Sequence, residues 1–356
     1  MKKVAIIGIQ GVPANYGGFE TLAENLIGKN GSPEISYTVF CSSKDVAEKR
    51  NTYKGAVLKY ISLRANGIQS ILYDIISLCR SICGYDVILI LGTSGCLFLP
   101  VFRLFCRKKV IVNIDGIEHQ REKWGKFARW FLRISEVTAV KFADIIITDN
   151  EGIQDYVRGS YGKEAELIAY GGDHVLRMVN EKQEKEILNK YNITSGQYAI
   201  SVCRIEPENN CHITLDAFTQ AGEHLVFIGN WNQNNYGKEL QKKYSAFAHI
   251  IMLDPIYDLD ILYVLRKHSL YYIHGHSAGG TNPSLVEAMF CGCNVFAYDC
   301  RYNRYTTGNK AHYFHNAEDL ASKISANEGD NSQTMVRIAR QRYLWGVIAR
   351  QYESLY

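Results

Sequence analysis

Three stretches of this 356-residue chain combine residue types that can hold an anion or a polyol. The first, "HSAGGTNPSLVEAM" (276–289), runs from a glycine-bearing loop into a helix. Asn282 is a good N-cap, and Pro283 suits the first helical position, where its missing N–H costs nothing. After Gly279 and Gly280, the free backbone N–H groups near Thr281, Asn282 and Ser284 therefore form an anion site. Glu287 lies a turn further in. With the cap serving anions, its carboxylate suits hydroxyls such as the cis-diol of a ribose, or is simply a solvated helix glutamate.

The second stretch, "VCRIEPENN" (202–210), places Arg204 at the end of a strand, where a guanidinium pairs bidentately with a diphosphate. A surface salt bridge to Glu206 or Glu208 is the alternative. The third, "GIQGVPANYGGFE" (8–20), sets Gly17 and Gly18 at the start of an amphipathic helix, where free N–H groups and the positive dipole end favour phosphate. It is not GxGxxG, and no acidic residue ends the second strand, so a nicotinamide or flavin is not indicated. In "NIDGIEHQREKW" (113–124), Asp115 at a strand end is a candidate for holding a hydroxyl, and Glu118, His119 and Arg121 are candidate acceptor-side groups. A plain Asp-Gly turn is the competing reading. Asp258-Leu259-Asp260 imitates a metal-binding DxD but opens a helix, where acids complement the dipole, so no metal site is expected.

The elements that must position these residues follow one rhythm. Short apolar runs, "VAIIGI" (4–9), "ISYTVFC" (35–41), "AVLKYI" (56–61), "DVILIL" (86–91), "KVIVNI" (109–114) and "DIIIT" (144–148), alternate with amphipathic segments. Continuous apolar strands are expected where helices cover both faces of a parallel sheet. The rhythm breaks at "IAYGGDHV" (168–175) and resumes with "YAISVCRI" (198–205), "HLVFIGN" (224–230), "HIIML" (249–253), "LYYIHGH" (270–276) and "NVFAYD" (294–299). We expect an α/β chain of two Rossmann-like doubly wound domains, residues 1–172 and 173–335, facing a central cleft. The segment 336–356 reads as a helix returning to the first domain, with Tyr343, Leu344, Val347, Ile348 and Tyr352 on one side.

The ten cysteines form no CxxC pair, and we expect them reduced in a cytoplasm, with Cys79, Cys83, Cys291 and Cys293 as small buried hydrophobes. The formal net charge is +4. Residues 99–133 hold nine basic and three acidic side chains. A solvated surface accounts for that run, as does contact with anionic headgroups at the inner face of the cytoplasmic membrane. No basic stripe interleaved with aromatics points to nucleic acid.

Taken together, "GVPANYGGFET", "NIDGIEHQREKW", "CRIEPENN", "YIHGHSAGGTNPSLVEAM" and "YLWGVIARQYESLY" resemble the retaining GT-B glycosyltransferases of family 4. The likeness is nearest to the rhamnosyltransferase-like branch with a DUF1972 domain, and it runs nearly end to end. It implies a nucleotide-sugar donor held mainly by the second domain and a saccharide acceptor held mainly by the first. It also implies metal-independent transfer with no cofactor. Under it Arg204 is the diphosphate contact, Glu287 the ribose contact, Gly17 and Gly18 backbone donors to phosphate, and Asp115 stands where relatives often have a histidine.

Two positions depart from the wider family: Asn209 replaces a lysine beside the diphosphate, and Gly279 a glutamate near the donor sugar. The branch shares both, which implies dTDP-L-rhamnose as donor and surface-polysaccharide synthesis, and the basic stretch 99–133 adds the expectation of an undecaprenyl-diphosphate-linked acceptor. UDP-hexose transfer, a GT-B sugar-nucleotide epimerase and an inactive nucleotide-sugar-binding subunit are the competing readings.

Overall fold

The computed structural model describes residues 1–14, 17–114, 116–120 and 125–356. Asp115 and Arg121 lie outside the described residues. The chain divides into two compact units, Met1–Tyr170 with Trp345–Tyr356, and Gly171–Leu344.

The first unit is built on an eight-stranded sheet of order β3-β4-β2-β1-β5-β6-β7-β8. Its strands are β1 (Lys2–Ile7), β2 (Ile35–Ser42), β3 (Thr52–Tyr53), β4 (Ala56–Ile61), β5 (Val87–Leu91), β6 (Lys109–Ile114), β7 (Ile145–Thr148) and β8 (Glu166–Leu167). All neighbours are parallel except the β3–β4 pair. The helices are α1 (Gly18–Gly28), α2 (Gln69–Ser81), α3 (Leu99–Phe105), α4 (Lys126–Phe142) and α5 (Glu151–Tyr161). The first strand runs 2–7 where the sequence suggests 4–9. It stops because Gly8 turns to φ +92, and a Cβ there would lie 2.3 Å from the Leu91 carbonyl oxygen. Only glycine lets the chain leave the sheet at that point.

The second unit carries a six-stranded parallel sheet of order β11-β10-β9-β12-β13-β14. Its strands are β9 (Ala199–Val202), β10 (Leu225–Ile228), β11 (Ile250–Leu253), β12 (Tyr271–His274), β13 (Val295–Tyr298) and β14 (His312–Phe314). The helices are α6 (Glu181–Lys190), α7 (Cys211–Ala221), α8 (Asn235–Tyr244), α9 (Leu259–Lys267), α10 (Pro283–Phe290), α11 (Arg301–Thr306), α12 (Ala317–Ser325) and α13 (Ser332–Arg342).

The expected single C-terminal helix is two. Tyr343 ends α13 and stays with the second unit, its hydroxyl donating to the Thr306 carbonyl at 2.9 Å. Leu344 is in no helix, and α14 (Trp345–Leu355) belongs to the first unit. There Trp345, Ile348, Ala349, Tyr352 and Tyr356 join the core formed by β1, β2, β5 and α1. Each fully buried side chain of this kind contributes roughly 1.5–3 kcal/mol. Polar ties fix the register: the Asn113 amide donates to the Tyr352 hydroxyl at 2.5 Å, and Lys2 Nζ to the Tyr356 carbonyl at 2.5 Å.

The cysteine expectation needs one correction. All ten thiols are free, but Cys79 and Cys83 are exposed, because they fall on the outer side and past the end of α2.

Candidate functional site

In each sheet the chain order reverses between two adjacent strands. In the second unit the chain builds outward from β9 to β10 and β11, then crosses back to β12 beside β9. Ligands of open α/β sheets bind beyond the carboxyl ends of the strands at such a switch point. The loops that follow β9 and β12 are the two that carry Arg204 and the Gly279–Asn282 segment.

These loops are stitched together. Ser277 donates to the Glu208 carbonyl from both its backbone N–H, at 3.0 Å, and its hydroxyl, at 2.8 Å. The Asn210 amide donates to the Gly275 carbonyl at 2.9 Å. Gly275 is enforced by that contact, since a Cβ there would meet the Asn209 carbonyl oxygen at 2.3 Å. Arg204 leaves this platform partly exposed, with its guanidinium 3.9 Å from the Glu206 carboxylate. Asn209, a donor-side candidate in the sequence, has a role within the loop itself. It is buried, and its amide donates back to the Arg204 carbonyl at 2.7 Å. It braces the loop that presents Arg204.

The helix start forms as expected. Asn282 caps α10, its side-chain oxygen accepting from the Ser284 N–H at 3.1 Å, with Pro283 in the first turn. Thr281 is buried beneath it. Gly279 has φ +110, a conformation that L side chains rarely adopt. A side chain at this position would strain the loop in its present conformation.

Glu287 is not a solvated helix glutamate. Its carboxylate accepts from Arg266 Nη2 at 2.7 Å and faces His174 Nε2 at 3.5 Å. Burial pushes its pKa up, but Arg266 and His174 outweigh that and hold it below the ordinary carboxylate value. It is therefore an anion at neutral pH, with lone pairs for further donors. Arg266 is 1% exposed, and its Nε and Nη1 have no hydrogen-bond partner among the described residues. Breaking such a buried pair by removing one partner costs about 3–5 kcal/mol.

Sequence reasoning missed both partners. Arg266 follows Leu262 by one turn and shares its buried side of α9, a cation at an apolar phase that flags a buried charge. His174 sits in the short 3₁₀ turn Asp173–Val175 after Gly172. A Cβ on Gly172 would meet Val286 at 2.7 Å, so that glycine lets the turn lie on α10. Nearby, His274 and His276 stack with ring centroids 4.3 Å apart.

The first unit reverses order between β1 and β5. Gly17 caps α1 at φ +117. The first-turn Glu20 folds over it: the Gln10 N–H donates to its carboxylate at 2.9 Å, and a Cβ on Gly17 would lie 2.1 Å from the other oxygen. An acid thus occupies the helix start where the sequence suggested phosphate, complementing the dipole itself. The β5 loop is held by buried Asp74, which accepts from the Ser94 hydroxyl and whose carboxyl burial pushes up to about 7.

Among the acceptor-side candidates, Glu118 and His119 form part of one 3₁₀ turn, Glu118–Gln120. His119 points inward: it is buried with Nδ1 3.2 Å from Glu136, which also accepts from Tyr156 and Tyr161. It anchors this turn on α4, which places its ring in the packing of the unit and not on an acceptor surface. Asp258 caps α9 by accepting from the Asp260 and Ile261 N–H groups, and Asp260 pairs with Arg177. This is the capping arrangement the sequence indicated for that pair.

With this geometry in hand, the chain can be set beside known proteins. Residues 183–342 match the family described as Glycosyl transferases group 1, and residues 1–173 match a domain of unknown function, DUF1972. No curated protein matches it in sequence. Among solved structures, sucrose-phosphate synthase from Thermosynechococcus elongatus superposes with a TM-score of 0.81 at 16% identity, over 100% of this chain and 98% of that one. HepE of Anabaena, in complex with UDP-glucose, gives 0.78 at 16% identity, over 100% and 99%. The catalytic domain of starch synthase IV from Arabidopsis thaliana, bound to ADP and acarbose, gives 0.73 at 12% identity, over 100% and 98%.

Proposed function

We propose, from the premise that this chain is a glycosyltransferase of GT-B fold, that it is a retaining, metal-independent transferase of the rhamnosyltransferase-like branch of family 4. The second unit holds a nucleoside-diphosphate sugar, and the first holds a saccharide acceptor. The observation that carries this reading is the set of groups at the β9/β12 switch point: a partly exposed Arg204 on the loop after β9, a capped helix start at Asn282 and an ionised Glu287.

Arg204 and the α10 N–H groups stabilise charge on the departing diphosphate. Glu287 accepts from pentose hydroxyls. The bond between the sugar's anomeric carbon and the phosphate oxygen breaks, and the acceptor oxygen bonds to that carbon on the same face. The acceptor's proton passes to the leaving phosphate oxygen. Asp115, outside the described residues, is proposed to hold a sugar hydroxyl.

The favoured donor is dTDP-L-rhamnose. A 6-deoxy sugar needs fewer polar partners, and Gly279 supplies no carboxylate at that position. A UDP-hexose is the second reading. Glu287 has lone pairs for both ribose hydroxyls, whereas dTDP offers one, and HepE binds UDP-glucose. The acceptor we favour is carried on undecaprenyl diphosphate for surface-polysaccharide synthesis, met at the inner face of the cytoplasmic membrane through the basic run 99–133.

A panel of nucleotide sugars, scored by nucleoside-diphosphate release with a saccharide acceptor, tests the reading. Release from one donor class, lost by orders of magnitude in Arg204→Ala, is expected. A binding protein without turnover on any donor, or donor epimerisation seen by NMR without an acceptor, would contradict it.

A further inference from the structure

We infer that α3 and α4 of the first unit form a docking surface that inserts apolar side chains into an anionic lipid layer. The large exposed apolar residues of the described chain concentrate here. On α3 and the turn before it, Leu97, Val101, Leu104 and Phe105 follow a single helical stripe, with Leu104 79% and Phe105 70% exposed. On α4, Phe127 (78% exposed), Trp130 and Val137 do the same, and the Phe127 and Trp130 rings touch at 5.9 Å. The two helices are neighbours, tied where Arg103 donates to the Phe142 carbonyl. The opposite side of α4 is spent on the core through Ser135, Glu136, Ala139 and Val140. Its apolar stripe is therefore surplus to folding, and single exposed apolar residues are ordinary whereas two adjacent stripes are not.

Charge selects the occupant. Between residues 97 and 142, every exposed charged side chain among the described residues is basic: Arg107, Lys108, Lys109, Lys126, Arg133 and Lys141. The described acids of this window are withdrawn, Glu136 into the buried cluster with His119 and Glu118 to a half-buried position. Phenylalanine and tryptophan flanked by lysine and arginine is the composition of a helix lying in a membrane interface, apolar rings among the acyl chains and cations at the headgroups. No described helix is long and apolar enough to cross a membrane, which fits a surface that lies on the bilayer.

This surface deepens the reading of a lipid-borne acceptor, because it adds insertion to the electrostatic contact proposed above. Salt separates the two. Charge attraction alone fades as the Debye length shrinks, whereas buried rings hold.

The test is sedimentation of the full-length protein with phosphatidylglycerol-containing vesicles and with phosphatidylcholine vesicles, at low and raised salt. We expect binding to the anionic vesicles that partly survives raised salt, and weak binding to the neutral ones. Phe105→Ser and Trp130→Ser should each reduce binding about tenfold or more, as expected for losing one fully buried ring. Of the four tryptophans, Trp231 and Trp345 are buried and Trp124 lies outside the described residues, so a blue shift of emission on vesicle addition that disappears in Trp130→Phe and persists in Trp124→Phe reports insertion directly.

Donor turnover with a soluble saccharide should be unchanged in these variants, which also shows that they are folded. Failure of the vesicle assay leaves the donor panel intact, and the reverse. Full recovery of the protein in the supernatant at low salt would overturn the proposal, as would binding abolished by salt alone. Lipid-free self-association abolished by Trp130→Ser would assign the surface to a second copy instead.

Discussion

At the residue scale, the candidate site is defined by which polar groups are satisfied by the protein and which are left for a ligand. Glu287 is held by Arg266 and His174 and kept ionised, while Arg204 stands partly exposed on the loop after β9. The histidine stack adds a measurable consequence. Burial depresses the His274 pKa to about 3, and its Nε2 has no partner among the described residues. Below its ordinary value of 6.5 the unfolded chain takes up a proton that the folded chain refuses. Stability is therefore intact above pH 6.5 and falls as the pH drops towards 3, by up to about 1.4 kcal/mol per pH unit. Urea unfolding monitored across that range should show the slope, and His274→Phe, which keeps a ring against His276, should flatten it. An unchanged slope would place the titration elsewhere. The residue types of this site were readable from the chain, since a strand-end arginine and a capped helix start have local signatures. Their buried supports were not. Arg266 and His174 acquire meaning only from packing against α10, and Asn209 turned out to brace a loop because its amide finds the Arg204 carbonyl first.

At the scale of elements, the central strands were legible because both their faces are covered, so β5 and β6 announce themselves as continuous runs, whereas β4 nearer the edge alternates buried and exposed residues. The two-residue strands β3 and β8 and the three-residue β14 carry too little pattern to be seen. The C-terminal break was hidden for a different reason. Both sides of Tyr343 are helix-compatible, and long-range contacts hold that residue in the second unit: its hydroxyl donates to the Thr306 carbonyl and its own carbonyl accepts from the Gly172 N–H. Once past it, α14 contributes a full set of core side chains to the first unit. Tyr352→Ala removes a buried ring and leaves Asn113 without its hydroxyl partner. It should destabilise the first unit by about 3–5 kcal/mol, as large-to-small aromatic changes in cores do. Calorimetry should show one transition lowered. Both transitions moving equally, or neither moving, would deny α14 a specific place in the first unit's core.

At the scale of the whole molecule, two units with reversed strand order supply two switch points; the motifs at 8–20, 202–210 and 276–289 fall on loops after strands that flank them, while the one at 113–124 follows β6. The glycosyltransferase class follows from the group 1 match over residues 183–342, and the fold from structures that share little sequence with this chain. The central claim is narrower: Glu287 recognises the pentose hydroxyls of the donor nucleotide. It is tested most directly by calorimetric titration of two ligands into wild type and Glu287→Ala. One is the nucleoside diphosphate released in the donor panel; the other is its 2′,3′-dideoxy analogue. Loss of a charged hydrogen-bond acceptor should weaken the natural diphosphate about ten- to a hundredfold, while the dideoxy analogue binds both proteins equally. A variant that binds the natural diphosphate as tightly as wild type, or loses both ligands alike, would contradict the claim.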